Sequence, residues 1–114
     1  MTVHQHVVQL RGKPAFTVNA IQPAPGLYVY RGLPYLRWGE EFHWHISHHS
    51  GLIIASAQSA IEARQVVDEI ADLADWTLSP EEIKADASVD ACEIRDRIVY
   101  RTDAVFHQNH RKAA

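Results

Sequence analysis

Cysteine is almost absent from this chain. Cys92 is the one thiol in 114 residues, which excludes an internal disulfide and a multi-cysteine zinc site, and with them an extracellular disulfide scaffold. Long apolar runs are missing as well: none exceeds the length of Leu52 to Ala55, far short of the roughly 20 residues a membrane-spanning helix needs. Met1 to His6 has neither the positive flank nor the apolar stretch of a secretory leader. The chain therefore reads as cytoplasmic, with no membrane contact. Glycine is scarce, and isolated residues such as Gly32 and Gly39 open no helix, so there is no phosphate-binding loop and no cofactor motif. Ser47 and Ser50 stand beside histidines, but no glycine-flanked nucleophile elbow surrounds them. These absences read as a protein that is not an enzyme.

What is present is a segregated charge pattern. The formal net charge is −3, but residues 1–57 carry +2, residues 58–90 carry −7 and residues 91–114 carry +2. Six of the eight histidines lie in the first segment. Such polarity argues against wholesale wrapping by nucleic acid and favours an electrostatic partner that meets one face.

The first half has the punctuation of strands. His4 to Leu10 and Phe16 to Ile21 are candidate strands separated by Gly12-Lys13-Pro14. Pro23-Ala24-Pro25-Gly26 is a break at which neither a helix nor a central strand is expected to continue. Leu27 to Tyr30 resumes extended structure, and an apolar loop follows with Tyr35, Leu36 and Trp38. Phe42 to Ile46 alternates with period two, placing Phe42, Trp44 and Ile46 on a buried face and His43, His45 and Ser47 on the other. A hairpin turning at His48 to Gly51 leads into Leu52 to Ala55.

After Ala57 the period becomes helical. Ser59 to Glu62 fits a capping box that starts a first helix, whose stripe runs from Ala63 to Ala74 and closes at Trp76. Ser79-Pro80-Glu81-Glu82 starts a short second helix, about Pro80 to Ala85. Ser88 is expected to cap a third, with Ala91, Ile94, Ile98 and Val105 inward; over residues 97–106 helix and strand both fit the composition. The expected architecture is α+β: an N-terminal antiparallel sheet of three to five strands, then three helices, the first packed on the sheet. Residues 1–107 form one domain, and the polar tail 108–114 is expected to fray.

Three surfaces are candidates for function. The first is the acidic helical face, Glu62, Asp68, Glu69, Asp72 and Asp75, with the loop residues Tyr35 and Trp38 as a second contact; it suits a protein partner with a basic surface. The second is a three-stranded sheet presenting Tyr28, Tyr30, Arg31 and Arg37 for nucleic-acid binding, an architecture shared with integrase arm-binding domains, although Lys and Arg are few for phosphate contacts. The third is a metal site: His4-Gln5-His6 and His43-Trp44-His45 each put two imidazoles on one strand face, roughly 7 Å apart. The pairs resemble the His-x-His of cupins, but the glycine and glutamate expected around them are misplaced or missing. Solvent-facing histidines that hold no metal are the preferred reading. A homodimer through a strand edge or the apolar loop is compatible with the pattern.

From Phe42 to Asp86 the order is an aromatic strand, the Ser50-Gly51 turn, an apolar strand, a Ser-started helix containing Glu62-Ala63, the run Ala74-Asp75-Trp76-Thr77 and a Pro-Glu segment. This order resembles small uncharacterised proteins of actinobacterial phages and mobile elements. The resemblance implies an accessory role, acting by binding a macromolecule rather than by catalysis. The expected function is thus a small regulatory binding protein, an inhibitor or DNA mimic in kind.

Overall fold

The computed structural model describes residues 2–8, 12, 14–32 and 42–107; Tyr35, Arg37, Trp38 and the tail 108–114 lie outside them. Five strands come first: β1 (His4–Val8), β2 (Phe16–Ala24), β3 (Leu27–Arg31), β4 (Trp44–His48) and β5 (Ile53–Ala57). Then come α1 (Ala60–Ile70), α2 (Pro80–Ala85), α3 (Ala91–Arg101) and a two-residue strand β6 (Val105–Phe106). The strands form an antiparallel sheet in the order β1-β2-β3-β4-β5-β6. The α+β class and the packing of α1 on the sheet are as the sequence implies; the strand count is higher, because the chain returns after α3 to pair β6 with β5 through Ala55 and Ser56.

Alternation along β3 and β4 decides which residues meet α1. Leu27, Val29 and Ile46 are buried with Ala55 and Ala57 of β5 against Ala63, Val66, Val67 and Ile70 of α1, and Trp44 packs at their margin. The opposite face, expected to meet solvent, is covered too. Val8 of β1 and Ala20 of β2 cluster with Tyr30 of β3 and Ile53 of β5, and the His6 ring stacks on Tyr28 at 4.5 Å. Strand β2 separates β1 from β3 in the sheet order, so the stacking of His6 on Tyr28 requires β1 to fold back over that face.

Strand β2 makes the fold-back feasible. It continues through Pro23 to Ala24, where the sequence suggested a break. Its pairing with β3 shifts between Ile21 and Ala24, and at such an irregularity a proline without an N–H is tolerated. The turn falls at Pro25-Gly26 instead. Gly26 has φ +82° and lies so close to the Trp76 carbonyl that a Cβ would collide with it; no other residue type fits there without strain.

The helix boundaries differ from the sequence reading in physically simple ways. Ser59 Oγ accepts from Glu62 N at 3.1 Å, but α1 stops at Ile70 rather than running to Trp76. The Trp76 indole N–H donates to the Ile70 carbonyl at 2.9 Å, and Leu73 N donates to the same carbonyl, so a terminal acceptor is satisfied by the turn that follows. Asp72 and Asp75 consequently lie beyond the helix. The full capping box of Ser79 and Glu82 on α2 is present. For α3 the cap is Asp90, which accepts from Cys92 N and Glu93 N, while Ser88 donates to Asp86. Residues 97–106 divide: helix to Arg101, strand at Val105–Phe106, so Val105 pairs with Ser56 instead of continuing a helical stripe.

Candidate functional site

The acidic surface is built from two kinds of carboxylate. Glu69 is neutralised between α1 and α3, 3.5 Å from Arg101 and 4.0 Å from Arg97, and Arg97 also donates to the Glu69 carbonyl. Glu62 is half-buried at the start of α1, with Oε1 unpartnered among the described residues. Neither serves an outward-facing surface. By contrast Asp68, Asp72, Asp75, Glu81, Glu82, Asp86 and Asp90 make no ion pair with Lys or Arg among the described residues.

Several of these are held ionised by the turns they cap. The Thr77 hydroxyl and amide hold the Asp75 carboxyl below its ordinary range, the Ser79 amide does the same for Glu82, and the Ser88 hydroxyl and amide for Asp86. Hydrogen bonds to the charged form favour it. The charge is therefore available to a partner, and it is centred on the turn after α1 and on α2 rather than on the face of α1.

Of the four residues assigned to nucleic acid, the sheet presents Arg31 but neither tyrosine fully, and Arg37 lies outside the described residues. Tyr30 is 1% exposed, its hydroxyl 3.3 Å from Ser47 Oγ, and Tyr28 is half-buried beneath His6; β1 occupies the space a base would need. Arg31 is exposed at the end of β3.

The histidines are not solvent-facing as a group. His6, His45, His48 and His107 are all buried, although alternation alone assigned His45 to water. No three metal-ligating side chains converge among the described residues: His43 is exposed while His45 is buried, and His6 is engaged with Tyr28. His45 instead joins a chain that sequence spacing did not reveal. Its Nδ1 lies 2.6 Å from Ser56 Oγ, which lies 2.8 Å from His107 Nε2. A hydroxyl has one proton to give. Ser56 donates to one imidazole and accepts from the other, so one ring carries its proton on the nitrogen facing the serine. Burial pushes both His45 and His107 down to about 4, keeping them neutral. Ser56 is fully buried, and its geometry is that of an internal strut joining β4 and β5 to the residue that follows β6.

His48 fastens another corner. Its Nε2–H donates to the Leu78 carbonyl at 2.8 Å and its Nδ1 accepts from Ser50 N at 3.0 Å; His49 reaches the same carbonyl. These bonds dock the segment before α2 on the β4–β5 turn. Beside them, between β5, β6, Trp76, α2 and α3, opens a cleft of about 190 Å³ with an almost wholly apolar lining. None of its walls was legible as a site, since they come from five separate stretches of sequence.

No helix among the described residues is long and apolar enough to cross a membrane. The assembly defines an α+β protein with a curled six-stranded meander and an acidic turn-and-helix surface. No family model matches the chain. No curated protein matches it in sequence, and no solved structure matches it.

Proposed function

We propose that this chain is a non-catalytic binding protein that docks a basic macromolecular partner through the acidic surface running from Asp68 through Asp72 and Asp75 to α2. The observation that carries the reading is the set of carboxylates without cationic partners among the described residues, of which Asp75, Glu82 and Asp86 are held ionised at fixed positions by their own turns. A solvated face needs charge but not this excess of one sign; fixed charges of one sign speed association with an oppositely charged surface and weaken with salt. A partner that normally holds nucleic acid would be occupied in place of phosphates; the resemblance over residues 42–86 implies only an accessory role that acts by binding a macromolecule.

The test is capture from a nuclease-treated actinobacterial lysate by the immobilised protein and by its Asp68→Lys/Asp72→Lys/Glu81→Lys variant. None of these three side chains caps a turn or joins an ion pair among the described residues, so melting temperature is expected to stay unchanged while a protein captured by the parent is lost. Equal capture by both overturns the reading. Recovery of nucleic acid alone from a parallel lysate left without nuclease, abolished by Arg31→Ala, favours the sheet instead.

A further inference from the structure

The pairing of β1 with β2 ends at His4 and Ala20, and the pairing of β2 with β3 loses register between Ile21 and Ala24. A recess of about 330 Å³ opens where these ladders give out, lined by Thr2, His4, Ile21, Gln22, Pro23 and, from α1, Arg64. Its volume lies at the lower end of the roughly 300–1,000 Å³ of small-molecule sites.

The lining has a chemical bias. Ile21 and Pro23 are apolar, the other four side chains each carry a hydrogen-bond donor, and none is a carboxylate. Arg64 is the one permanent charge. It is exposed and forms no ion pair or hydrogen bond among the described residues. The side chains of Thr2, His4 and Gln22 form no hydrogen bond there either. One step along the same strand pair the polar groups are spent internally, Gln5 donating to Asn19 at 2.9 Å. His4 is nonetheless held in place: it is half-buried, and its ring stands edge-on to Tyr28 with centroids 5.9 Å apart. Ile21 is anchored in the core beneath α1.

Uncommitted donors around one cation, with no carboxylate among them, select an anion. A single guanidinium selects its charge: the planar fork matches a carboxylate with two parallel N–H bonds and balances it one to one, whereas a dianionic phosphate would keep a charge uncompensated. We infer that the recess binds a small monocarboxylate, its head on Arg64 with His4, Thr2 and Gln22 as further donors and its short apolar body along Ile21 and Pro23. None of these residues belongs to the acidic surface, so the site stands or falls independently of the basic-partner reading.

The experiment titrates hexanoate, hexanol, hexylamine and inorganic phosphate separately into the isotope-labelled full chain. Amide shifts of Thr2, His4, Ile21 and Gln22 and the side-chain Nε–H of Arg64 are followed by NMR. Hexanoate is expected to saturate these shifts in the millimolar range, as suits so few atoms, and to bind at least about ten-fold more tightly than the other three probes. Arg64→Gln, at an exposed position, is expected to weaken hexanoate at least about ten-fold with the melting temperature unchanged. His4→Phe keeps a ring against Tyr28 and removes its donors, so it should weaken hexanoate by less than Arg64→Gln does. Absence of a saturable hexanoate shift overturns the site, as does equal binding of hexanol or full affinity in Arg64→Gln. Shifts centred on Trp76 and Lys84 would put the probe in the apolar cleft and overturn it too, and phosphate binding as tightly as hexanoate overturns the monocarboxylate.

Discussion

Ser56 holds two buried imidazoles at once, at 2.6 Å and 2.8 Å, and its removal takes this bond from His45 Nδ1. A buried polar atom left without a partner costs about 1–3 kcal/mol, so Ser56→Ala, which removes only the hydroxyl, is expected to destabilise by about 1–3 kcal/mol in urea unfolding. A loss below about 0.5 kcal/mol would mean that water or another group replaces the serine. Position 32 supports the same network: a Cβ on Gly32 would stand 2.6 Å from His45 Nε2. None of this was legible in the sequence. Strand alternation places His45 opposite Trp44 and Ile46 correctly, but whether the second face of a sheet meets water depends on what folds over it, and β1 and His107 approach from the two ends of the chain.

The elements themselves were largely legible wherever a local device sets them. Ser79, Pro80 and Glu82 fix the start of α2 within four residues, and the structure contains that capping box in full. Errors fell where two devices competed. Ser88 and Asp90 are both competent caps, and Asp90 takes the role because Ser88 is already committed to Asp86. Asp90→Ala is therefore expected to cost about 1 kcal/mol, with Ser88→Ala within about 0.5 kcal/mol of the parent. Chemical denaturation of the two variants measures the difference, and the reverse order would reassign the cap. Likewise the apolar stripe of α1 continues in sequence to Trp76, yet an indole N–H on the Ile70 carbonyl ends the helix a turn earlier. Periodicity reports which face is apolar, and it cannot report a tertiary hydrogen bond that stops the winding.

At the scale of the whole molecule, the two faces of the sheet answer differently to acid. The face against α1 is sealed by aliphatic side chains, whereas the other is closed partly by neutral imidazoles: burial, the dominant cause in each, pushes His6, His45 and His107 from 6.5 to about 4. Unfolded, the same rings titrate near 6.5. Between these values the unfolded chain binds protons that the native protein refuses, so stability rises with pH across the interval. It is fully present above about 6.5 and is lost progressively toward 4. For His45 and His107 together the loss at pH 5 amounts to roughly 2–4 kcal/mol, a large share of a typical total of roughly 5–15 kcal/mol. The hydrogen-bonded carboxylates Asp75, Glu82 and Asp86 are also depressed, and their contribution fades only below the ordinary carboxylate range near 4, so the two effects separate along the pH axis. Urea unfolding at pH 7.5, 6 and 5 is expected to show the midpoint falling already between 7.5 and 5. The His45 and His107 ring protons, followed by NMR, should keep their neutral shifts throughout that range in the native state. A midpoint that holds to pH 5, or ring shifts that titrate near 6.5, would place these imidazoles in contact with water and remove the strut joining β4 and β5 to His107 from the account of how the sheet is closed.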